Sequence, residues 1–282
     1  MTQLSNILMI SCVAFMLCMS LAAGTAAIDK PRGTIVVVAH RGLAPGYPEN
    51  TLLAFRHALS LGVDLIEVDL RMTKDGIPVI IHDDTVDRTT DGQGGVDTFT
   101  LSEIKKLDAG SFVSPEFAGT RIPTLEETLA LVTSLGGKLL LDIKSSSDLD
   151  CEKVVRLVER YHAVENVVVG ARSVEDVKLF RSLNPNFRIL GLIPGVRDIK
   201  KFIEAGADFI RLWLKWIRLY PPLIDQAHQL GKPVWITAGP AGRDELAELI
   251  KLDVNGILTD LPEVLMALLA DSRTRTSQPL KD

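Results

Sequence analysis

From Thr34 onward the sequence alternates short β-branched runs with helical patterns, and it does so eight times. The runs are TIVVVA (34–39), LIEVDL (65–70), KLLLDI (138–143), NVVVG (166–170), FRILGL (187–192), DFIRL (208–212), PVWIT (233–237) and GILTD (256–260). The helical stretches are NTLLAFRHALSLG, PTLEETLALVTSLG, SDLDCEKVVRLVERY, SVEDVKLFRSL, GVRDIKKFIEAG, PPLIDQAHQLG, GRDELAELIKL and PEVLMALLA, each opened by a capping residue or a helix-starting proline. Several close on glycine, which suits the left-handed position after a helix end. Strict alternation of eight strands and eight helices is the count of an α/β (β/α)8 TIM barrel, a single domain of about 250 residues, here expected over 34–270. An open doubly wound sheet gives no reason for the number eight, and no G-x-G-x-x-G follows the first strand.

One interval breaks the rhythm. Roughly residues 71–121 separate the second strand from the helix that opens at Pro123, far more than a βα connection needs. Lys74-Asp75-Gly76 between two apolar runs is a hairpin signal that sets PVIIH (78–82) beside the barrel mouth. An insertion after strand two overhangs the C-terminal face, where barrel enzymes do their chemistry.

The ends of the chain read differently. No charged side chain occurs before Asp29, and an apolar run from about Ile7 to Ala23 precedes small residues. This is read as a secretory signal peptide, residues 1–27, of a secreted or periplasmic protein, with cleavage near Ala26 or Ala27. The alternative is an uncleaved membrane anchor, because a basic n-region is missing and the run approaches spanning length; no membrane partner is expected unless this segment is retained. The last residues, 271–282, are expected to be a disordered tail. Cys12 and Cys18 lie in the leader, so Cys151 stands alone and is read as a filler, not a nucleophile. A net charge of −5 leaves no basic field for nucleic acid. The expected partner is a small molecule, and any bound anion must be gripped locally.

Barrel chemistry is carried by strand ends. Strand one ends in His40-Arg41. Strand two delivers Glu67 and Asp69, whose spacing of two puts both on one face, and strand three ends with Asp142 and Lys144 at the same spacing. The insertion adds His82. Three converging carboxylates repel unless a cation neutralises them, and a hard divalent ion with oxygen ligands, Mg2+ or Ca2+, is the natural answer. Arg41 and Lys144 beside such an ion imply a held phosphate, since a guanidinium fork and an ammonium both suit it. Two histidines near neutrality are suited to carry protons on and off oxygens. Cation, phosphate clamp and paired imidazoles together describe phosphodiester cleavage. His57, His162 and His228 fall in helical patterns and are read as surface or packing residues.

At these residues the chain resembles the glycerophosphodiester phosphodiesterase family. The blocks that carry the resemblance are AHRG (39–42), PENT (48–51), LIEVDLRMTKDGIPVIIHDDTVDRTTDGQG (65–94), LDAGS (107–111), RIPTLEE (121–127), LDIK (141–144) and GILTDLP (256–262). The resemblance implies one divalent ion held by Glu67, Asp69 and Asp142, with Asp142 standing where the family has Glu. It implies general acid and base roles for His40 and His82, of which His40 is assigned the base, and phosphate binding by Arg41 and Lys144. Glu49 is placed near the ion or its water ligands, its other role, with Asn50, being to start the first helix. Thr237-Ala238 replaces the family's Val-Asn at strand seven. Trp213 and Trp235 either wall the alcohol group or pack the barrel.

The implied activity is metal-dependent hydrolysis of glycerophosphodiesters, such as deacylated phospholipids, to glycerol 3-phosphate and an alcohol. The nucleophile is water or the substrate's own neighbouring hydroxyl. The alternatives are a lysophospholipase D, a phosphodiesterase that releases a cyclic phosphate, and, in another class, a non-catalytic phosphodiester-binding protein, which the departure at Asp142 would suit.

Overall fold

In the computed structural model, which describes residues 34–42, 46–144 and 150–276, eight parallel strands close into a barrel. The leader expected over 1–27 lies outside the described residues. β1 (Val36–Ala39) pairs on one side with β2 (Leu65–Met72) and on the other with β9 (Gly256–Thr259). The ring between them is completed by β8 (Val234–Gly239), β7 (Phe209–Trp213), β6 (Arg188–Gly191), β5 (Val167–Ala171) and β4 (Leu139–Ile143). A ninth strand, β3 (Pro78–Ile80), runs antiparallel on β2 across the turn at Lys74–Gly76, as the hairpin signal predicts. Among the described residues, no helix is long and apolar enough to cross a membrane.

Local chemistry sets the helix ends. Thr51 caps α1 (Leu52–Leu61) by accepting from the Ala54 N–H at 3.2 Å, so the cap falls one residue later than the Glu49-Asn50 start expected from sequence. The 71–121 insertion carries the short α2 (Leu101–Ile104) and, with Ile122 just after it, its own apolar centre of Val79, Ile81, Val86, Val96, Ile104 and Ala109. It is therefore a packed lobe rather than a long loop. A reciprocal Thr124–Glu127 capping box opens α3 (Leu125–Ser134). The outer layer continues with α4 (Cys151–Arg160), α5 (Val174–Leu183) and α6 (Ile199–Ala205).

Two helices, α7 (Leu214–Leu219) and α8 (Leu223–Gln229), follow β7 where the pattern predicts one, because Leu214–Leu219 holds no breaker before Pro221. The ring ends with α9 (Arg243–Leu249) and α10 (Pro262–Thr276). The last helix runs on through six residues of the expected tail, since no Gly or Pro interrupts it before Pro279; residues 277–282 lie outside the described residues.

Most of the barrel strands are apolar on both faces at their base, which is why the runs read as continuous β-branched stretches; β6 instead opens on Arg188. One set of side chains meets the helices, and the other fills the barrel: Val36, Val38, Leu65, Leu140, Val168, Leu190, Leu192, Phe209, Trp235 and Leu258. Trp235 belongs to that filling. It is fully buried, its ring lies 5.1 Å from Phe209, and it covers Gly256, where an added Cβ would meet the indole at 2.8 Å. Of the two tryptophans, then, Trp235 packs the barrel, whereas Trp213 is 38% exposed at the mouth.

Candidate active site

Stepping two residues up each strand from the filling leads to the C-terminal mouth. Val38 leads to His40, Leu65 to Glu67 and Asp69, Leu140 to Asp142 and Lys144, Val168 to Arg172, Phe209 to Arg211 and Trp213, and Leu258 to Asp260. Most of these residues line one cavity of 410 Å³, whose floor is Leu140, Leu192 and Leu258 and whose rim includes His82 from the insertion.

Glu67, Asp69 and Asp142 are buried and converge, one carboxylate oxygen from each lying within 4.8 Å of the others. Burial and the neighbouring Asp69 charge push the Glu67 carboxyl up to about 8. Burial opposes ionisation of Asp69 too, but the charges of Lys144 and His82 and hydrogen bonds from Lys144 and Asn50 hold it well below the usual carboxylate range. Lys144 Nζ lies 2.5 Å from Asp69 and 2.6 Å from Asp142. Lys144 thus bridges Asp69 and Asp142, while Glu67 keeps a proton. An all-oxygen donor set with an uncompensated acid fits a hard divalent cation.

Asp142 is held more tightly than a free ligand. Arg172 donates to both of its oxygens, from Nε at 2.9 Å and from a terminal nitrogen at 2.6 Å. The sequence reading did not single out Arg172, although it sits on β5's inward register next to Asp142.

His40, Arg41 and Gly42 form one tight turn at the end of β1. Arg41 has a left-handed φ of 56°, held by its N–H donating to Glu67 at 2.7 Å. Gly42 follows at φ 67°, and an added Cβ would lie 2.4 Å from the Phe55 ring, so only glycine fits. The Arg41 guanidinium donates to Glu49 at 2.9 Å, and its Nε lies 3.5 Å from Asp69. Glu49 itself is bound by Arg41 and by Arg88, from two nitrogens at 2.8 Å each. The structure thus places Glu49 among arginines around the site, with Asn50 next to it tying down Asp69 by a 2.7 Å hydrogen bond.

Both predicted histidines are backed by carboxylates. His40 Nδ1 is 2.6 Å from Asp260, and His82 Nδ1 is 2.6 Å from Asp83, which Arg88 holds in turn from Nε at 2.6 Å. In each ring Nε2 is left for the cavity. Burial works against the His40 imidazolium, but the Asp260 hydrogen bond and the charges of Glu67 and Asp260 outweigh it and raise its pKa. For His82, burial prevails with help from Lys144 and Arg41, and its pKa is lowered despite Asp69 and Asp83. His57 and His228 lie outside the cavity, the first stacked on Tyr47 at 4.2 Å and the second 3.1 Å from Asn255.

Sequence reasoning missed Arg172, Arg211 and Asp260. The signal was present, since Arg211 and Asp260 are one step of period two beyond Phe209 and Leu258 of the barrel filling, and Arg172 is two steps beyond Val168. Arg88 had no comparable signal, because the insertion's fold sets its reach to Glu49 and Asp83.

Comparison with known proteins agrees with this geometry. Residues 40–264 match the family described as the glycerophosphoryl diester phosphodiesterase family. A glycerophosphodiester phosphodiesterase of Caldanaerobacter subterraneus subsp. tengcongensis is 36% identical over 237 residues, which is 83% of this chain and 97% of its own. One from Bacillus altitudinis is 30% identical over 237 residues, covering 80% and 95%. Among solved structures, the glycerophosphodiester phosphodiesterase of Agrobacterium tumefaciens aligns with a TM-score of 0.73 at 29% identity, over 83% of this chain and all of that one.

Proposed function

The chain belongs to the glycerophosphoryl diester phosphodiesterase family and is an enzyme of that activity, and on this premise we propose that His40 and His82 cleave the diester beside a divalent ion. The observation that carries the reading is the meeting, in one cavity, of two carboxylate-backed imidazoles with Glu67 and Asp142, whose carboxylates converge with that of the buried Asp69. Glu67, Asp69 and Asp142 would hold Mg2+ or Ca2+. Such an ion, when bound, polarises phosphoryl oxygens and offsets their developing charge.

The chain's own groups do the rest. Lys144 has three N–H donors, and two are taken by Asp69 and Asp142; Arg41 has five, and Glu49 takes one. Their remaining donors are assigned to the scissile phosphate. A nucleophilic hydroxyl, from water or from the substrate's neighbouring carbon, loses its proton to one Nε2 as its oxygen bonds to phosphorus. The bond from phosphorus to the departing oxygen breaks, and the other Nε2 supplies that oxygen with a proton. The raised pKa of His40 favours the proton-donating role, and the lowered pKa of His82 the accepting one. This reverses the sequence-based assignment, in which Asp260 had no part. Water as nucleophile gives glycerol 3-phosphate and an alcohol directly; a substrate hydroxyl gives a cyclic phosphate first. The apolar N-terminal segment supports a location outside the cytoplasm.

Phosphorus NMR of glycerophosphodiesters incubated with the protein and Mg2+ or Ca2+ tests the reading. Glycerol 3-phosphate is the expected product. Binding without turnover would establish a binding protein instead, and a persistent cyclic phosphate would establish the cyclising alternative.

A further inference from the structure

Arg211 carries a charge that the catalytic reading does not use. It lies on β7 between Phe209 of the barrel filling and Trp213 at the mouth, on the inward face, and is only 3% exposed. Its Nε and one terminal nitrogen are buried without a hydrogen-bond partner, and its guanidinium stacks 4.0 Å from the Trp213 ring. Burial lowers its pKa only to about 10, so it stays charged at neutral pH. Lys144, Arg172 and Arg41 each have carboxylate partners. A buried guanidinium with idle donors is costly unless a ligand's anion satisfies it.

Position says which part of a ligand that is. In the ring of eight, β7 is four strands from β2 in either direction, so Arg211 faces the cavity from the wall opposite Glu67 and Asp69. Lys215 and Arg218 line the same wall, Lys215 Nζ lying 5.9 Å from the Trp213 ring and Arg218 pairing with Glu245. A diester with its phosphorus at the carboxylates extends one substituent towards this wall. Glycerol is uncharged, so the anion belongs to the other alcohol.

We propose that the β7 wall is a subsite for a second anionic group, and that the preferred substrates are glycerophosphodiesters whose alcohol bears a further phosphate or a carboxylate. This rests on the catalytic reading for the place of the scissile phosphate. It predicts discrimination against a cationic choline group, which would face Arg211 and Lys215.

The test compares glycerophosphoinositol 4-phosphate, glycerophosphoserine, glycerophosphoglycerol and glycerophosphocholine in steady-state kinetics, with wild type, Arg211→Met and Arg211→Lys. Affinities of the same diesters are measured by calorimetry in EDTA. Wild type is expected to favour the phosphate-bearing diester over the choline diester by about ten- to a hundredfold in kcat/KM, the worth of a charge-assisted hydrogen bond. Arg211→Met should erase the preference mainly through KM, and Arg211→Lys should keep part of it. A preference for the phosphate diester over glycerophosphoserine makes the distal anion a phosphate, and the reverse makes it a carboxylate. Equal use of anionic and choline diesters by wild type overturns the proposal, whether or not the variants fold. So does an equal loss of kcat on all four diesters in Arg211→Met, which would put Arg211 on the scissile phosphate. If no diester is hydrolysed but the anionic ones bind more tightly through Arg211, the subsite stands and the catalytic reading falls.

Discussion

Glu67→Gln is expected to stabilise the ion-free protein while disabling the enzyme, with a gain that grows with pH. Glu67 is 2% exposed and shares its space with Asp69 and Asp142. Burial and the Asp69 charge raise its pKa from 4.5 to about 8. The folded protein therefore keeps a proton that the unfolded chain has released, and between those two values native stability falls by about 1.4 kcal/mol per pH unit. Below pH 4.5 both states are protonated and the cost vanishes. At pH 7 it is about 3 kcal/mol, and above pH 8 it levels off at about 5 kcal/mol. Glutamine keeps the shape and the oxygen that accepts the Arg41 N–H at 2.7 Å, and it never ionises.

Denaturant unfolding of both proteins in EDTA at pH 4.5, 7 and 8.5 reads the difference directly. The variant's advantage should be near zero at the lowest pH and largest at the highest. Saturating Mg2+ or Ca2+ should shrink or invert it, since an ion at a hundred times its Kd adds about 2.7 kcal/mol to a protein that binds it. A gain that is independent of pH, or a variant less stable than wild type at pH 8.5 without ion, would refute the reasoning: Glu67 would then already be neutralised by the chain.

His40→Ala and His82→Ala should each lower kcat by at least about a hundredfold. Asp260→Asn, which removes the carboxylate that raises the His40 pKa, should move the alkaline limb of the pH–rate profile to lower pH, because the proton-donating form of His40 is lost as pH rises through its pKa. Asp142→Glu should preserve or raise activity, whereas Asp142→Ala should weaken ion affinity in calorimetry and leave Arg172 and Lys144 short of a partner. Gly42→Ala forces a methyl against Phe55 at a φ of 67° and should destabilise by roughly 1–3 kcal/mol in urea unfolding, with kcat falling as the His40–Arg41 turn shifts.

Repeating local signals determined the barrel, the insertion and most of the candidate site. Period-two spacing identified Glu67 with Asp69 and Asp142 with Lys144, capping residues marked the helices, and the eightfold count implied closure. Each of these is a property of neighbours along the chain. Pairings across the ring were decided by tertiary structure alone. Asp260 reaches His40 across 220 residues only because β9 lies beside β1, and Arg172 clamps Asp142 because β5 lies beside β4. Two tryptophans that look alike in sequence part company for the same reason: Gly256 on the neighbouring strand makes room for Trp235 inside the barrel, while Trp213 stands at its rim. A one-dimensional pattern says which face a side chain takes. The charge or void it meets there is set by strand order and register, which exist only once the ring has closed.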